Sequence, residues 1–534
     1  MLSSVVDADA ALPQEYEMAQ KKGIVYVVGA GPGDVGLITV RGAECLAQSD
    51  VVIYDNLANE LLLEHAPKYA ERIFVGKEAS QHSKSQDEIN QLLVERATSG
   101  LTVTRLKGGD PFLFGRGGEE AAFLAERDVA FEMIPGVTSA LAVPAYAGIP
   151  VTHRSVNGSV HIVTGHENVQ GVGPDIDWNI LASARGTIVF LMGIGNLGTI
   201  VSKLLAKKLS PKTPIALIRW GTMPEQQTLV STIGEVVDEV RRLGFSAPAV
   251  GVIGEVVRLR EQISWVEKKP LFGVRAAVTR PEGQGASLAR ELRQMGAEVV
   301  STPTIRIRET ALSDDAKQEI KALVDGKYHW IVFTSASAVR IFRDWLFKSD
   351  RDMRALARVR VAAIGERTAE SLNEIGIKPE LVPLSARQEG LVGSMCTQPG
   401  ERVLIPRASA ARDVLEKELG ARAVDVTVLP LYDTKPDREG IARLRKLLTR
   451  GRVHLVTFTS ASTFERLTEA IKAEDLPKLF AEVTVASIGP ATSEAIRAAG
   501  VTVHIEAANA SVDDLTSGIR SWFEDMKLEK TRTR

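Results

Sequence analysis

The chain runs to 534 residues, with 25% charged residues and a formal net charge of -2. That is longer than one hydrophobic core usually supports, so about two to four domains are expected, and the near-neutral balance demands no strongly charged partner such as nucleic acid while leaving room for local arginine clusters that bind an acidic small molecule. No apolar run reaches the roughly 18 residues of a membrane span, and the two cysteines, Cys45 and Cys396, lie too far apart in sequence to suggest a disulfide framework, which fits a reducing cytoplasm.

Residues 1–22 are acidic and polar without a signal-peptide core and are expected to form a mobile tail. From residue 24 onward, short Val/Ile-rich runs alternate with amphipathic stretches: strands at 24–28 and 51–54 flank a helix at 37–48. The alternation persists along the chain and marks an α/β fold with helices over largely parallel sheets. The first strand enters Val28-Gly-Ala-Gly-Pro-Gly-Asp34, which invites a dinucleotide-binding interpretation. Its third glycine, Gly33, comes too early for G-x-G-x-x-G, and Pro32 removes an amide from the turn, so a nicotinamide domain is disfavoured. The Asp34 carboxylate would repel phosphate but suits a ligand with N–H donors.

A strand at 101–106 leads into Arg105-Leu-Lys-Gly-Gly-Asp-Pro-Phe-Leu-Phe-Gly-Arg-Gly-Gly-Glu-Glu120. Two glycine pairs and an Asp-Pro turn in one short segment favour a ligand loop over a plain strand-to-helix turn. Arg116 and Glu119, three apart at the start of a helix expected at 119–127, share a face and either address one ligand together or form a local ion pair. Ile134-Pro-Gly-Val-Thr-Ser139 is a strand end with two hydroxyls, Ala147-Gly-Ile-Pro-Val-Thr-His-Arg154 places Arg154 after a tight turn, and Thr187-Ile-Val-Phe-Leu-Met-Gly193 brings Met192 to the end of a buried strand. His153, His161 and His166 match no metal-ligand spacing, so structural roles and no metal are expected.

A charged segment, Trp265-Val-Glu-Lys-Lys-Pro-Leu271, marks the main division, with a fresh strand at 275–279. Beyond it the chain repeats itself. Ile331-Val-Phe-Thr-Ser-Ala-Ser-Ala338 recurs as Val456-Thr-Phe-Thr-Ser-Ala-Ser-Thr463, Val361-Ala-Ala-Ile-Gly365 as Val485-Ala-Ser-Ile-Gly489, and Val278-Thr-Arg-Pro281 as Ile405-Pro-Arg-Ala408. The constant offset of about 125 residues implies two similarly folded lobes rather than a solenoid. Polar strand ends of this kind line a cleft between lobes or cap the helices that follow them.

Taken together, Val28 to Asp34, Arg105 to Glu120, Pro135-Gly-Val-Thr-Ser139, Ala145-Tyr-Ala-Gly-Ile-Pro150 with Thr152-His-Arg154, and Trp220-Gly-Thr222 resemble the uroporphyrinogen-III C-methyltransferases of the tetrapyrrole methylase family over residues 23–265. The resemblance implies two α/β subdomains dividing near residue 136, with S-adenosylmethionine in their cleft, and methylation of uroporphyrinogen III at C2 and C7 to precorrin-2. It assigns Pro32, Gly108, Gly109, Asp110, Thr138, Ser139 and Met192 to S-adenosylmethionine. Asp34, Arg116, Glu119 and Arg154 fall to the tetrapyrrole, Arg116 and Asp34 in catalytic roles, and a homodimer through this half is implied. The substrate's carboxylate rim needs cationic forks and its pyrrole N–H groups need acceptors, which these side chains supply. Val35 stands where the family has proline, and Leu191 where an aromatic is common.

Residues 273–525 are similar to uroporphyrinogen-III synthase, through Thr279-Arg-Pro281, Phe333-Thr-Ser335, Ala363-Ile-Gly365, Leu431-Tyr-Asp-Thr434, Phe458-Thr-Ser460 and Ile488-Gly-Pro490. The implied architecture is a linker at 266–272, lobe one at 273–306 with 434–525, lobe two at 307–433, and a charged tail at 526–534. The implied reaction closes hydroxymethylbilane with inversion of ring D, without a cofactor. Tyr432 is then the acid, or else a hinge residue between lobes, and Thr368, Ser460 and Thr492 contact substrate carboxylates. The expectation is a cytoplasmic bifunctional enzyme on the route to sirohaem or cobalamin. A non-catalytic C-terminal tetrapyrrole-binding module is the alternative, and a two-lobed periplasmic solute binder is disfavoured by the absent signal peptide. No dehydrogenase fingerprint is visible, so sirohaem itself is not expected as product.

Overall fold

A computed structural model of the protein describes residues 23–76, 84–165, 176–385, 387–410 and 413–532. The tail expected at 1–22, and His166, lie outside the described residues. The chain forms two compact units, one of residues up to Arg275 with Leu292–Val300, the other of Ala276–Glu291 with Ser301 onward. No described helix is long and apolar enough to cross a membrane.

The first sheet contains β1 (Ile24–Gly29), β2 (Val51–Tyr54), β3 (Glu71–Phe74), β4 (Thr102–Lys107) and β5 (Ala130–Ile134). They lie in the order β3-β2-β4-β1-β5, all parallel. Successive side chains of a strand point to opposite faces. Tyr26 and Val28 accordingly join one buried cluster with Leu46 of α1 (Val40–Ala47), while Val25 and Val27 join another with Leu93 of α2 (Gln86–Thr98). Both faces are covered, so β1 and β4 are buried along almost their whole length, β1 as an apolar run and β4 with Arg105 and Lys107 among its buried residues, whereas the edge strand β5 alternates in exposure. The connection after β1 leads to β2 on one side, while that after β4 passes through α3 (Gly117–Ala125) to β5 on the other. Opposed connections open a crevice at the carboxyl ends of these strands.

The second sheet contains β6 (Val160–Thr164), β7 (Thr187–Leu191), β8 (Pro214–Arg219), β9 (Gln227–Thr232) and β10 (Ala249–Ile253), in the order β6-β7-β10-β8-β9. β6 and β7 are parallel, and β10 runs antiparallel to both β7 and β8. The strands β6, β7 and β8 therefore end at one common edge.

In the second half, β11 (Arg275–Val278) and β12 (Glu298–Ser301) precede a separate sheet of β13 (Ile305–Glu309), β14 (Trp330–Phe333), β15 (Arg360–Ala363), β16 (Arg402–Ala408) and β17 (Asp425–Pro436), ordered β13-β17-β16-β14-β15. The chain then returns through β18 (Leu455–Phe458), β19 (Thr484–Ser487) and β20 (Ile505–Glu506) to complete the sheet β12-β11-β18-β19-β20. The sequence repeat is visible as geometry: β14 and β15 pair in parallel, as do β18 and β19, with Ser335 and Ser460 capping the helices after β14 and β18. The long strand β17 pairs with β16 over its first part and with β13 over its last, and Tyr432 sits at the exchange.

The charged tail expected at 526–534 is helical as far as it is described, within helix Val512–Arg532. Leu515, Ile519 and Phe523 recur every four residues and are buried, which anchors one face of that helix and lets it propagate into the charged stretch. Cys45 is buried and Cys396 exposed, and neither is in a disulfide.

Candidate active site

At the carboxyl edge of the first sheet, three loops interlock through backbone. Gly31 and Gly109 exchange two hydrogen bonds, Gly109 N to Gly31 O at 2.7 Å and Gly31 N to Gly109 O at 3.2 Å. A Cβ on Gly136 would lie 2.3 Å from Gly109 O, and one on Gly29 2.5 Å from Gly136 Cα. These glycines are needed first for loop-on-loop approach, which refines the expectation that the glycine pairs serve a ligand directly. Asp110 fastens the same assembly: Oδ1 accepts from Phe112 N and Leu113 N, and Oδ2 accepts from Gly136 N at 3.0 Å. Thr138 caps α4 (Ser139–Tyr146) by accepting from Ala140 N. The segments holding Gly109, Asp110, Thr138 and Ser139 are thus brought together. Gly109 has φ +67°, and a Cβ there would meet nothing nearer than Ser139 N at 3.8 Å, leaving open space beside the first amides of α4.

The β1 loop also meets the loop after β8. Asp34 N donates to Thr222 Oγ1 at 3.0 Å, and Tyr146 Oη donates to Asp34 Oδ2 at 2.7 Å. Asp34 Oδ1 accepts from Gly36 N. Burial, then the neighbouring Asp34 charge, pushes the Tyr146 phenol well above its ordinary value, so it stays a proton donor. Its ring stacks edge-on against Trp265. The sequence flagged Tyr146 only as part of a motif; 112 residues separate it from Asp34, and only the packing of α4 under the loop shows the contact.

Arg116 stands at the N-cap of α3 with φ 59°, so α3 begins two residues earlier than expected. Its guanidinium grips Glu119 in a fork, Nε to Oε1 at 2.9 Å and Nη2 to Oε2 at 2.6 Å, with both side chains about half exposed. The pairing holds Glu119 below the usual carboxylate range. Arg154 is exposed and makes no hydrogen bond or ion pair with a described residue. Met192 follows β7 with φ 58° and remains exposed. His153 takes part in a local turn with Ser155 and Asn157, and His161 lies within β6.

Beneath the loop lies a charged network that the sequence did not disclose. Glu120 is fully buried, and its Oε1 receives Lys107 Nζ at 2.9 Å, Arg105 Nε at 3.2 Å and Gln86 Nε2 at 3.2 Å, while Arg105 also reaches Asp55. Burial pulls the Lys107 ammonium down against the opposing attraction of Glu120. These groups stiffen the base of the 108–116 loop.

Left-handed backbone recurs in the loops after three strands of the first half. Nine described non-glycine residues have positive φ, and five of them, Phe114, Arg116, Met192, Trp220 and Thr222, lie just after β4, β7 or β8. Such conformations cost about 1–3 kcal/mol each and gather where surrounding structure holds side chains in place for function.

In the second half, the Tyr432 hydroxyl lies 2.9 Å from Ser335 Oγ, with the ring buried among Phe333, Phe342 and Leu431. Burial pushes its phenol upward, partly opposed by the Ser335 hydrogen bond. Ser460 caps helix Ala461–Thr468 and lies 2.9 Å from Ser462 Oγ. Thr368 and Thr492 sit in the first turns of helices Glu366–Glu374 and Pro490–Ala498, each 4% exposed, so neither hydroxyl is displayed as Ser460 is.

Residues 24–237 match the family model of tetrapyrrole (corrin/porphyrin) methylases, and residues 286–517 match that of uroporphyrinogen-III synthase HemD. A porphyrin biosynthesis protein HemD from Ruminiclostridium josui is 39% identical over 477 residues, 89% of this chain and 93% of its own length. A uroporphyrinogen-III C-methyltransferase from Bacillus subtilis (strain 168) is 39% identical over 377 residues, 71% of this chain and 77% of its own. A uroporphyrin-III C-methyl transferase from Thermus thermophilus, solved with S-adenyl homocysteine, is 38% identical with a TM-score of 0.39, covering 44% of this chain and 100% of that one. With matches spanning both halves, the chain belongs to the family of tetrapyrrole-biosynthesis enzymes that join a tetrapyrrole methylase to a uroporphyrinogen-III synthase.

Proposed function

We propose that the C-terminal half closes hydroxymethylbilane to uroporphyrinogen III with inversion of ring D. The N-terminal half then transfers methyl groups from S-adenosylmethionine to C2 and C7, giving precorrin-2 for sirohaem or cobalamin. The observation that carries the methyltransferase assignment is that left-handed residues recur in the loops after β4, β7 and β8, because they include Arg116 and Met192, both assigned to the site by motif.

S-adenosylmethionine supplies an electrophilic methyl group to an electron-rich pyrrole carbon. The open space at Gly109, beside the first amides of α4, fits its carboxylate, since helix amino ends favour anions. Pro32, Gly108, Asp110, Thr138, Ser139 and Met192 complete the donor side. On the acceptor side, the half-exposed Arg116–Glu119 pair is worth about 1 kcal/mol or less, so a substrate carboxylate can replace Glu119 in the same fork. Arg154 offers a second, uncommitted cation. Asp34, fixed by Gly36 and Tyr146, presents an acceptor to pyrrole N–H groups. In the synthase half, Tyr432 donates a proton to the departing hydroxyl, which leaves as water, and Ser335 orients the phenol. Thr368, Ser460 and Thr492 are assigned to substrate contacts. A homodimer through the methyltransferase half and a cytoplasmic location complete the proposal, on family resemblance.

Arg116→Lys keeps the charge and loses the fork. Calorimetry should show unchanged S-adenosylmethionine binding, while methyl transfer to uroporphyrinogen III falls on the order of a hundredfold through mispositioning. Turnover equal to wild type contradicts the role.

A further inference from the structure

Arg280, two residues beyond β11, is 4% exposed, and its Nη1 is buried without a hydrogen-bond partner. It forms no ion pair or hydrogen bond with any described residue. Arginine stays ionised in proteins, so burial cannot be relieved by loss of a proton, and an unpaired buried charge is strongly unfavourable. A fold that keeps one there gains from an anion that arrives later.

The surroundings point to the same conclusion. Thr279, just before Arg280, is locked by its hydroxyl donating to Thr457 O and its carbonyl accepting from Thr304 N. Four residues after Arg280, Gln284 Nε2 donates to Ser337 Oγ at 2.8 Å. Ser337 lies in the first turn of helix Ala336–Lys348, whose cap is Ser335, the partner of Tyr432. The loop carrying Arg280 is therefore tied to the helix end that holds the proposed acid, and it sits at the carboxyl ends of parallel strands, where α/β folds bind ligands.

We propose that Arg280 is a substrate-binding residue of the synthase half that takes a carboxylate of the linear tetrapyrrole in a two-pronged hydrogen-bonded pair. This rests on the synthase assignment above. The ligand anion supplies the partner that the folded protein withholds, so the site favours the polycarboxylate over neutral analogues.

The test uses the full chain and its Arg280→Met and Arg280→Lys variants, with hydroxymethylbilane as substrate. Melting temperature, KM, kcat and the fraction of type III product are measured. Arg280→Met should melt at or above the wild-type temperature, because a buried unpaired charge has been removed, yet raise KM about tenfold or more. Arg280→Lys should recover part of the affinity through charge alone. An unchanged KM in Arg280→Met, or a lowered melting temperature in that variant, overturns the assignment while leaving the synthase intact. A wild-type chain that yields only the type I isomer instead overturns the synthase assignment, and the Arg280 site with it.

Discussion

The methylase and synthase halves both gather polar groups at the carboxyl edges of parallel strands, but they hold them by different means. In the methylase half the backbone does the positioning: glycine loops touch at 2.3–2.5 Å from any added Cβ, and five of the seven described non-glycine residues with left-handed conformations there follow β4, β7 or β8. Above its buried Lys107–Glu120–Arg105 network, Arg116 and Glu119 remain half exposed. In the synthase half the strand ends Thr334-Ser335, Ile364-Gly365, Thr459-Ser460 and Ile488-Gly489 take no left-handed conformation. The helices after β14, β18 and β19 start at serine or glycine caps, and the distinctive groups, Tyr432 and Arg280, are buried. The methylase site should therefore be sensitive to added backbone bulk, the synthase site to loss of single side-chain groups.

The strongest way to break that contrast is Gly136→Ala. Its Cβ would press on Gly109 O, which is backbone and cannot swing aside, so the loops around Gly31, Gly109 and Asp110 must part. S-adenosylmethionine binding should be lost and methyl transfer should fall a hundredfold or more, roughly, while hydroxymethylbilane closure continues. Wild-type methyl transfer would show that the interlock is not needed.

Next comes Tyr432→Phe. Removing the hydroxyl leaves Ser335 free to keep its capping bond to Ala338 N, so folding should change little. Enzymatic closure should slow by about a hundredfold if the phenol is the acid. The wild-type pH profile sharpens this. Burial raises the phenol pKa, so the protonated form persists as pH rises, and activity should not decline before about pH 10, the range of a free tyrosine. Full-rate closure to the type III isomer in Tyr432→Phe would leave only a packing role between β17 and its neighbours.

The smallest expected effect is in Gly489→Ala. This residue caps helix Pro490–Ala498 with an extended φ of 163°, and a Cβ there would find only Ala510 Cβ, at 3.9 Å. Synthase rate and melting temperature should match wild type. A severe loss would show that a ligand approaches this glycine closely, and the contrast between the halves would be weaker than drawn.

How much of this was legible in the sequence depended on distance along the chain. Strands such as Val51–Tyr54 were clear because double-sided burial demands unbroken Val/Ile runs, and the twofold repeat was clear because Thr-Ser and Ile-Gly recur at strand ends. Asp34, Arg116 and Met192 stood out through their loops. The Tyr146–Asp34 bond, the Lys107–Glu120–Arg105 network and the isolation of Arg280 were not visible, because each is settled by tertiary packing that no local pattern encodes. The C-terminal helix was missed for the opposite reason: its charged surface residues mask a sparse buried stripe at Leu515, Ile519 and Phe523.

The central claim is that one chain carries two successive activities, and supplying purified protein with hydroxymethylbilane, with and without S-adenosylmethionine, tests it most directly by isomer analysis and mass of the products. The expected result is uroporphyrinogen III without the methyl donor and its dimethylated derivative, precorrin-2, with it. Uroporphyrinogen I under both conditions would contradict the synthase, and unmethylated uroporphyrinogen III under both would contradict the methyltransferase.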